Sequence, residues 1–347
     1  MVIDAFPVNC EIDLVLFRLE YLNDLVDRFV IGESRLTHRG KQKNLMLSEL
    51  KLLKPEIFSK VEIVEIYLET AVNPWKNEIA TREQLKTFIF STYPKSFYIL
   101  SDLDEIPSKE QISHLLIDPR NYHFKTPTYY RFANLKLKDP LHNSWKKGVM
   151  GHTSIPIGEN GGRFQVLPTL PCRETGVHFS WLQFKVGELE NKLDSTPHEE
   201  IDINETKSLE FFSYVNEYQI DHLGRFAAPG NGLLEFIAPD KFNDIQHALY
   251  LKNPEVFASQ ASPHKKIHRL WASLVVSSLY QFPRYRDEIS KTFILRIVSL
   301  RSTLRACFLL LTFFLEIKLR NAIKKIKFLF LVTLRIESHR RQIRSSK

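Results

Sequence analysis

The alternation of strand and helix patterns in the first 120 residues restricts the fold of this chain more than any other feature. Strand patterns lie at 28–32, 61–66 and 97–100, and helical patterns lie at 11–24, 76–93 and 109–116. Such alternation is typical of an α/β fold, in which helices cover the faces of a sheet. Residues 120–180 add short strand-like runs at 122–125 and 129–132 and a turn signal at Asn160-Gly161-Gly162. No GxxxxGK[ST] or GxGxxG pattern occurs, so P-loop and dinucleotide-binding classes lack their main motif.

Three carboxylates directly follow the strand pattern at 97–100. In the segment Ser-Asp-Leu-Asp-Glu-Ile-Pro at 101–107, Asp102 and Asp104 share one face if the chain stays extended. Ligands of open α/β sheets bind at the carboxyl ends of strands, and two convergent carboxylates suit Mg²⁺ or Mn²⁺. The competing interpretation is an acidic turn before the next helix, with Ser108 as the N-cap of that helix.

Two further groups of residues suggest chemistry. Glu78 and Arg82 are four residues apart on a predicted helix, so the simplest interpretation is a helix salt bridge of a few tenths of a kcal/mol. A role for Arg82 in orienting a site carboxylate is the alternative. His178 and His198 both lie near carboxylates or hydroxyls, which makes them candidates for a metal ligand or a base.

The charge of the chain is unevenly distributed. Residues 284–347 hold 16 basic and 4 acidic residues, so this segment carries +12 while residues 1–283 carry −4 of the total +8. We therefore predict a main domain over 1–283 and a basic, apolar-rich helical tail over 284–347. Two interpretations of the tail stay open: a helix that caps the main domain, or an interfacial helix that binds an anionic membrane surface. The aromatic residues of the tail lie in apolar blocks, so we expect no nucleic-acid partner.

The cysteine content and the N-terminus bear on the compartment. The chain has three widely spaced cysteines, Cys10, Cys172 and Cys307, which excludes a disulfide framework and a zinc site built on paired cysteines. The first residues show no basic stretch followed by an apolar core. We therefore expect a cytoplasmic protein, able to sit peripherally on the cytoplasmic face of a membrane.

Five stretches, taken together and in order, resemble glycosyltransferase family 17, the family of β-1,4-N-acetylglucosaminyltransferase III. They are Glu11-Ile12-Asp13-Leu14 with Arg18-Leu19; Val26 to Glu33 followed by Thr37, Gly40 and Lys43; Trp75-x-x-Glu78-x-x-x-Arg82; Ser101 to Pro107; and Val177-His178-Phe179-Ser180 followed by Lys192 and His198-x-Glu200. They cover roughly residues 4–225, and no single stretch is specific by itself.

The resemblance implies a GT-A-type nucleotide-sugar-binding fold, a Rossmann-like mixed sheet flanked by helices. It implies a metal-dependent, inverting hexosyltransferase that moves N-acetylglucosamine or a related hexose. The donor would be a nucleotide-diphosphate sugar, expected to be a UDP-sugar, and the acceptor a glycan or a lipid-linked hydroxyl. The cofactor would be Mn²⁺ or Mg²⁺, held by Asp102 and Asp104 with His178 or His198.

The resemblance also suggests roles for the remaining site residues. Glu105, Glu200 and Glu11 are the candidates for the base that deprotonates the acceptor. The candidates for contact with the nucleotide or its phosphates are Glu33, Lys43, Glu78, Arg82 and Asp102. Two other classes stay open: a non-catalytic carbohydrate- or membrane-binding scaffold of the same fold, and a metal-dependent nucleotidyl- or phosphotransferase.

Overall fold

A computed structural model describes residues 1–70, 72–138, 145–182, 184, 192, 195–197, 209–221, 233–266, 269–270, 272–273 and 276. The chain divides into the units Met1–Gln281 and Phe282–Lys347, and all described residues belong to the first. The predicted tail, His198 and Glu200 lie outside the described residues, so the predictions about them stay predictions. No helix in the described part of the chain is long and apolar enough to cross a membrane.

The described residues form an α/β structure, as the sequence predicts. The strands are β1 (Val2–Val8), β2 (Arg28–Ser34), β3 (Val61–Ile66), β4 (Phe97–Leu100), β5 (Glu105–Ile106), β6 (Tyr122–His123), β7 (Thr128–Tyr130), β8 (Leu135–Leu137), β9 (Val149–His152), β10 (Val177–Ser180) and β11 (Leu234–Phe236). The helices are α1 (Ile12–Leu22), α2 (Leu47–Leu53), α3 (Pro74–Thr92), α4 (Lys109–Ile117), α5 (Leu209–Tyr218) and α6 (Asp244–Lys252).

The first sheet has six strands in the order β3-β2-β1-β4-β9-β6. β3, β2, β1 and β4 run parallel, whereas β9 is antiparallel to both β4 and β6. The chain moves outward from β1 to β3 and then returns to add β4 on the other side of β1. The strand order therefore reverses between β1 and β4, which is where open α/β sheets place their ligands.

Helices cover both faces of the first sheet. On one face, Phe6 and Ile31 share a core with α1, including Leu19 and Leu22. On the other face, Ile3, Val30 and Tyr98 pack with Leu85 and Ile89 of α3. Adjacent residues of the inner strands β2 and β4 face opposite cores, so 29–31 of β2 and Phe97–Leu100 of β4 read as continuous apolar runs.

The second sheet has five strands in the order β11-β8-β7-β10-β5. β5 begins at Glu105, so the segment that contains Asp102 and Asp104 runs directly from the first sheet into the second. β10 pairs in antiparallel with β5 and in parallel with β7, with His178 opposite both Glu105 and Thr128. This pairing brings the predicted His178 motif to the predicted carboxylate motif.

The local signals in the sequence predicted the N-terminal helices and strands closely. Strands β3 and β4 have the predicted bounds, and α4 begins after Ser108, which forms a capping box with Gln111. The prediction missed β1, which is buried almost throughout and forms the centre of the first sheet. The strand predicted at 129–132 ends instead at Tyr130, because Arg131 has a φ of 67°.

Candidate active site

A cavity of about 440 Å³ lies where the two sheets meet. Segments after β1, β2 and β4 line it from the first sheet, and residues of β7 and β10 line it from the second. Its volume is within the range of small-molecule sites. The predicted site residues on its lining are Glu11, Lys43, Glu78, Arg82, Asp102, Asp104 and His178. Glu33 and Glu105 are not on the lining.

Asp102 is held by two arginines. Its Oδ1 accepts hydrogen bonds from Arg82 Nε at 3.1 Å and Nη2 at 2.6 Å, and its Oδ2 accepts one from Arg163 Nη1 at 2.8 Å. Burial alone would raise the pKa of Asp102, but the charges of Arg163 and Arg82 hold it well below its ordinary value. The carboxylate therefore stays ionised throughout the physiological range.

Arg82 combines the two roles that the sequence presented as alternatives. Its Nη1 donates to Glu78 at 2.6 Å, which is the predicted salt bridge within α3. Its remaining donors reach Asp102, twenty residues further along the chain. The interpretation of this pair as a plain helix salt bridge is therefore incomplete, because Arg82 also orients a carboxylate of the cavity.

Arg18 of α1 shapes the turn that follows β4. Arg18 is completely buried, and its Nη1 donates to the carbonyl oxygens of Asp102, Leu103 and Glu105 at 2.8–3.1 Å. Asp4 of β1 balances the charge, accepting from Nε at 2.9 Å and from Nη2 at 2.6 Å. Because one guanidinium binds three carbonyl groups of the turn, the positions of the carboxylates depend on the buried Arg18–Asp4 pair.

The chain turns between the two aspartates rather than staying extended. The backbone N–H of Glu105 donates to the carbonyl of Asp102 at 3.0 Å, which closes a turn over 102–105. Asp102 and Asp104 nonetheless both line the cavity, but with different partners. The premise of an extended segment was wrong, because the Arg18 hydrogen bonds favour a turn.

Asp104 faces a neutral histidine and a lysine. Its Oδ1 is 3.8 Å from His178 Nε2, and its Oδ2 is 3.6 Å from Lys192 Nζ. Burial lowers the pKa of His178 to about 4, so its imidazole is neutral near pH 7. A carboxylate beside a neutral imidazole offers ligands that Mn²⁺ accepts. Asp104 is thus the less constrained of the two aspartates.

Glu11 also lies beside Lys192. Its Oε1 is 3.3 Å from Lys192 Nζ, and its Oε2 accepts from the backbone N–H of Cys10 at 3.0 Å. Burial alone would raise the pKa of Glu11, but Lys192 and this hydrogen bond lower it overall. Lys192 therefore joins Glu11, which follows β1, to Asp104, which follows β4.

Glu105 is enclosed behind the cavity wall, with a fully buried side chain. The indole N–H of Trp145 donates to it, as does the backbone N–H of Asp102 at 3.2 Å, and Arg163 Nη1 is 3.5 Å away. Burial, followed by the charge of Asp102, raises the pKa of Glu105 to about 7. This carboxyl changes its charge near neutral pH without lining the cavity.

Glu33 and Lys43 lie near the carboxyl end of β2. The Glu33 carboxylate accepts from the backbone N–H groups of Met46 at 2.7 Å and Leu47 at 3.2 Å, at the start of α2. Lys43 Nζ donates to the carbonyl of Asn9 at 2.9 Å and is 4.0 Å from Glu33. Of this pair, only Lys43 lines the cavity.

Sequence reasoning missed several lining residues, among them Arg163 and Trp145. Arg163 follows the predicted turn Asn160-Gly161-Gly162, where the three residues have φ values between 53° and 75°. Its guanidinium is 5.6 Å from the Trp145 ring. The turn signal was visible, but only the fold shows that the turn directs the next residue toward Asp102.

These features define an α/β protein with a charged ligand cavity at the carboxyl edge of its parallel strands. A comparison with protein families shows that residues 1–218 match the model of glycosyltransferase family 17. The match covers more than half of the 347-residue chain. The chain therefore belongs to glycosyltransferase family 17, and the resemblance drawn from the five stretches is confirmed.

The chain is also similar to curated animal proteins over part of its length. The human beta-1,4-mannosyl-glycoprotein 4-beta-N-acetylglucosaminyltransferase is 27% identical over 143 residues, which is 37% of this chain and 27% of the human protein. The rat protein of the same name is 26% identical over 143 residues, which is 37% of this chain and 26% of the rat protein. The matched part thus covers about a quarter of the length of these relatives.

Proposed function

We propose that this protein is a metal-dependent, inverting glycosyltransferase with a GT-A-type fold. It would transfer a sugar, N-acetylglucosamine or a related hexose, from a UDP-sugar to a hydroxyl of a glycan or a lipid-linked acceptor. One observation carries the proposal. The Asp102–Asp104 turn lies in a cavity at the point where the strand order reverses. Membership of glycosyltransferase family 17 supports it.

The residues fit a divalent cation that is shared with the donor diphosphate. Within the described part of the chain, no group of three or more His, Cys, Asp or Glu side chains converges as a complete metal site. Asp104 and the neutral His178 supply one carboxylate and one imidazole, so diphosphate oxygens and water would complete the shell. Mn²⁺ or Mg²⁺ bound there would neutralise the charge that develops on the leaving group.

The arginines and lysines of the lining would hold the donor phosphates. Arg82 and Arg163 are fixed by Asp102, and Lys192 is fixed by Glu11 and Asp104. Preorganised cations of this kind stabilise charge that forms in the transition state without reorganising. Lys43 on the lining suits the nucleotide, whereas Glu33 positions Lys43 and the start of α2.

Glu11 is our choice for the base. It lines the cavity, whereas the enclosed Glu105 has no path to an acceptor and instead positions Arg163 and Asp102. Glu200 lies outside the described residues and stays a candidate. The acceptor oxygen would attack C1 of the sugar as the bond from C1 to the diphosphate breaks, and Glu11 would take the hydroxyl proton. A single displacement of this kind inverts the configuration at C1.

Calorimetric titration with a panel of nucleotide sugars, with and without Mn²⁺, tests the proposal. We expect Mn²⁺-dependent binding of one donor that is lost in Asp104→Ala, and release of the nucleoside diphosphate on turnover. A folded protein that binds no donor would favour the scaffold alternative. Release of pyrophosphate or transfer of phosphate would instead indicate a nucleotidyl- or phosphotransferase.

A membrane role for residues 284–347 remains part of the proposal, together with a cytoplasmic location. The charge of +12 on this segment supports attraction to anionic lipid. Deletion of residues 305–347 should release the protein from vesicles that contain phosphatidylserine. Unchanged vesicle binding would contradict the membrane role without affecting the proposed reaction.

A further inference from the structure

The cations that line the cavity differ in how their charge is balanced. The lysine and arginine residues on the lining are Lys43, Arg82, Lys147, Arg163 and Lys192. Four of them have a carboxylate oxygen within 4.0 Å. Lys147 has none among the residues that the structure describes. A cation on a cavity wall without a carboxylate is available to an anionic group of a ligand.

Lys147 instead lies over an aromatic ring. Its Nζ is 4.4 Å from the centroid of the Phe164 ring, within cation–π range. Phe164 also lines the cavity, yet this residue is 70% exposed, compared with 5% for Trp181 on the same lining. Phe164 therefore marks the mouth of the cavity rather than its interior.

A second pair of this kind lies next to the first. Arg163, adjacent to Phe164 in the chain, is 5.6 Å from the ring of Trp145, two residues before Lys147. Segments 145–147 and 163–164 thus form one wall of aromatic rings and cations. Arg163 is bound to Asp102 at 2.8 Å and is one of the cations assigned above to the donor diphosphate. The charge left for a second ligand at this wall therefore belongs to Lys147.

Phe164 differs from the other strongly exposed apolar side chains because it lines the cavity, so its ring is accessible to a ligand that enters there. The C–H face of a pyranose ring is apolar and flat enough to pack against an aromatic ring, which offers a large, rigid contact area. A phosphate or carboxylate on the same sugar would meet Lys147. A sugar that carries an oxyanion could contact both residues at once, with its ring on Phe164 and its charge at Lys147.

We propose that Lys147 and Phe164 form an acceptor subsite at the mouth of the cavity for a sugar that bears a phosphate or carboxylate group. This inference rests on the proposed transfer reaction. The donor diphosphate has its own cations, Arg82, Arg163 and Lys192, so Lys147 is left for the acceptor. A lipid-linked sugar phosphate and an acidic sugar would both present an oxyanion to Lys147.

Saturation-transfer NMR on the full chain, with and without excess UDP, tests the subsite. The probes are glucose, glucose 6-phosphate, glucuronate and inorganic phosphate. We expect both charged sugars to bind about tenfold more tightly than glucose, because a single charge-assisted hydrogen bond can account for a factor of this size. We expect UDP not to displace them.

Three variants separate the contributions. Lys147→Gln should abolish the preference for charged sugars. Phe164→Leu keeps apolar area but removes the ring. It should weaken the binding of all three sugars by about three- to tenfold and keep the preference for charged sugars. Lys146→Gln is the matched control, because Lys146 is exposed and is not on the lining. It should change nothing.

Several outcomes would overturn the inference. The first is equal binding of glucose and the charged sugars. The second is an equal loss of binding in the Lys146 and Lys147 variants. The third is displacement of the charged sugars by UDP, which would place Lys147 at the donor. Inorganic phosphate that binds as well as the sugar phosphate would remove the sugar from the assignment. Calorimetric binding of the donor to the same samples tests the proposed reaction separately, so a failed subsite and a failed reaction are distinguishable.

Discussion

The cavity has two walls of different character. The wall from the first sheet contains Glu11, Glu78, Arg82 and Asp102, and each of these groups has a partner of opposite charge. The second wall contains Thr128 and His178 of the second sheet, together with Trp145 and Lys147 from the segment before β9. His178 is neutral near pH 7. Asp104 and Arg163 lie between these two sets. The difference suggests that one wall holds charge in fixed positions and that the other is shaped for contact with a ligand.

The first wall is rigid for a reason that lies beneath it. Arg18 and Asp4 are both fully buried, and they connect α1, β1 and the turn after β4. The second wall has no buried ion pair of this kind among the described residues. We therefore expect substitutions to affect stability more at the first wall, and ligand binding more at the second.

The largest effect should come from Asp104, where the two walls meet. Asp104→Asn removes the charge between His178 and Lys192, so we expect at least about a thousandfold loss of sugar transfer with Mn²⁺. The melting temperature should change little, because Asp104 is partly exposed. The exposed Asp24→Asn serves as the control. Turnover near the wild-type rate in Asp104→Asn would remove this residue from the reaction.

The next effect tests the rigidity of the first wall. Arg18→Met leaves Asp4 buried without a partner, so we expect the free energy of unfolding to fall by about 3–5 kcal/mol in urea titrations. Arg35→Met removes the exposed pair of Arg35 with Glu65 at 2.9 Å and should cost less than about 1 kcal/mol. Similar losses in the two variants would show that Arg18 is not a buried anchor.

Glu105 should make the stability of the protein depend on pH. Its folded pKa of about 7 is above the ordinary value of 4.5, so its stabilising contribution is complete below pH 4.5 and is lost as the pH rises through 7. Relative to Glu105→Gln, the wild type should lose about 3 kcal/mol between pH 4.5 and pH 8 in metal-free buffer. Parallel stability curves for the two proteins would contradict the raised pKa.

The smallest effect should come from the second wall. Trp145→Phe keeps an aromatic ring but removes the N–H donor that lowers the pKa of Glu105. The midpoint of the pH-dependent loss should therefore move upward by less than about one unit. Urea titrations across pH 5–9 would measure this shift of the midpoint. A downward movement would show that Trp145 acts on Glu105 in another way.

Local patterns predicted much of the first wall. The i, i+4 spacing of Glu78 and Arg82 fixed their pairing, and the apolar run before Asp102 placed that carboxylate at the end of a strand. The second wall depends on short strands such as β7, which has three residues. Strands this short have too little periodicity to be recognised. Trp145, which lies beside these short strands, therefore escaped prediction. The turn before Arg163 was visible in the sequence, but its direction toward Asp102 was not.

The sequence by itself determined the α/β class, most helices and strands of the N-terminal part apart from β1, the family, and the carboxylates at the end of β4. These depend on periodicity, capping and motifs, which act over a few residues. The tertiary structure decided that Arg82 also binds Asp102, that Glu105 is enclosed, and that Lys147 faces Phe164 rather than a carboxylate. Each of these joins residues far apart in the chain, so it follows from how the two sheets pack together and not from any local pattern.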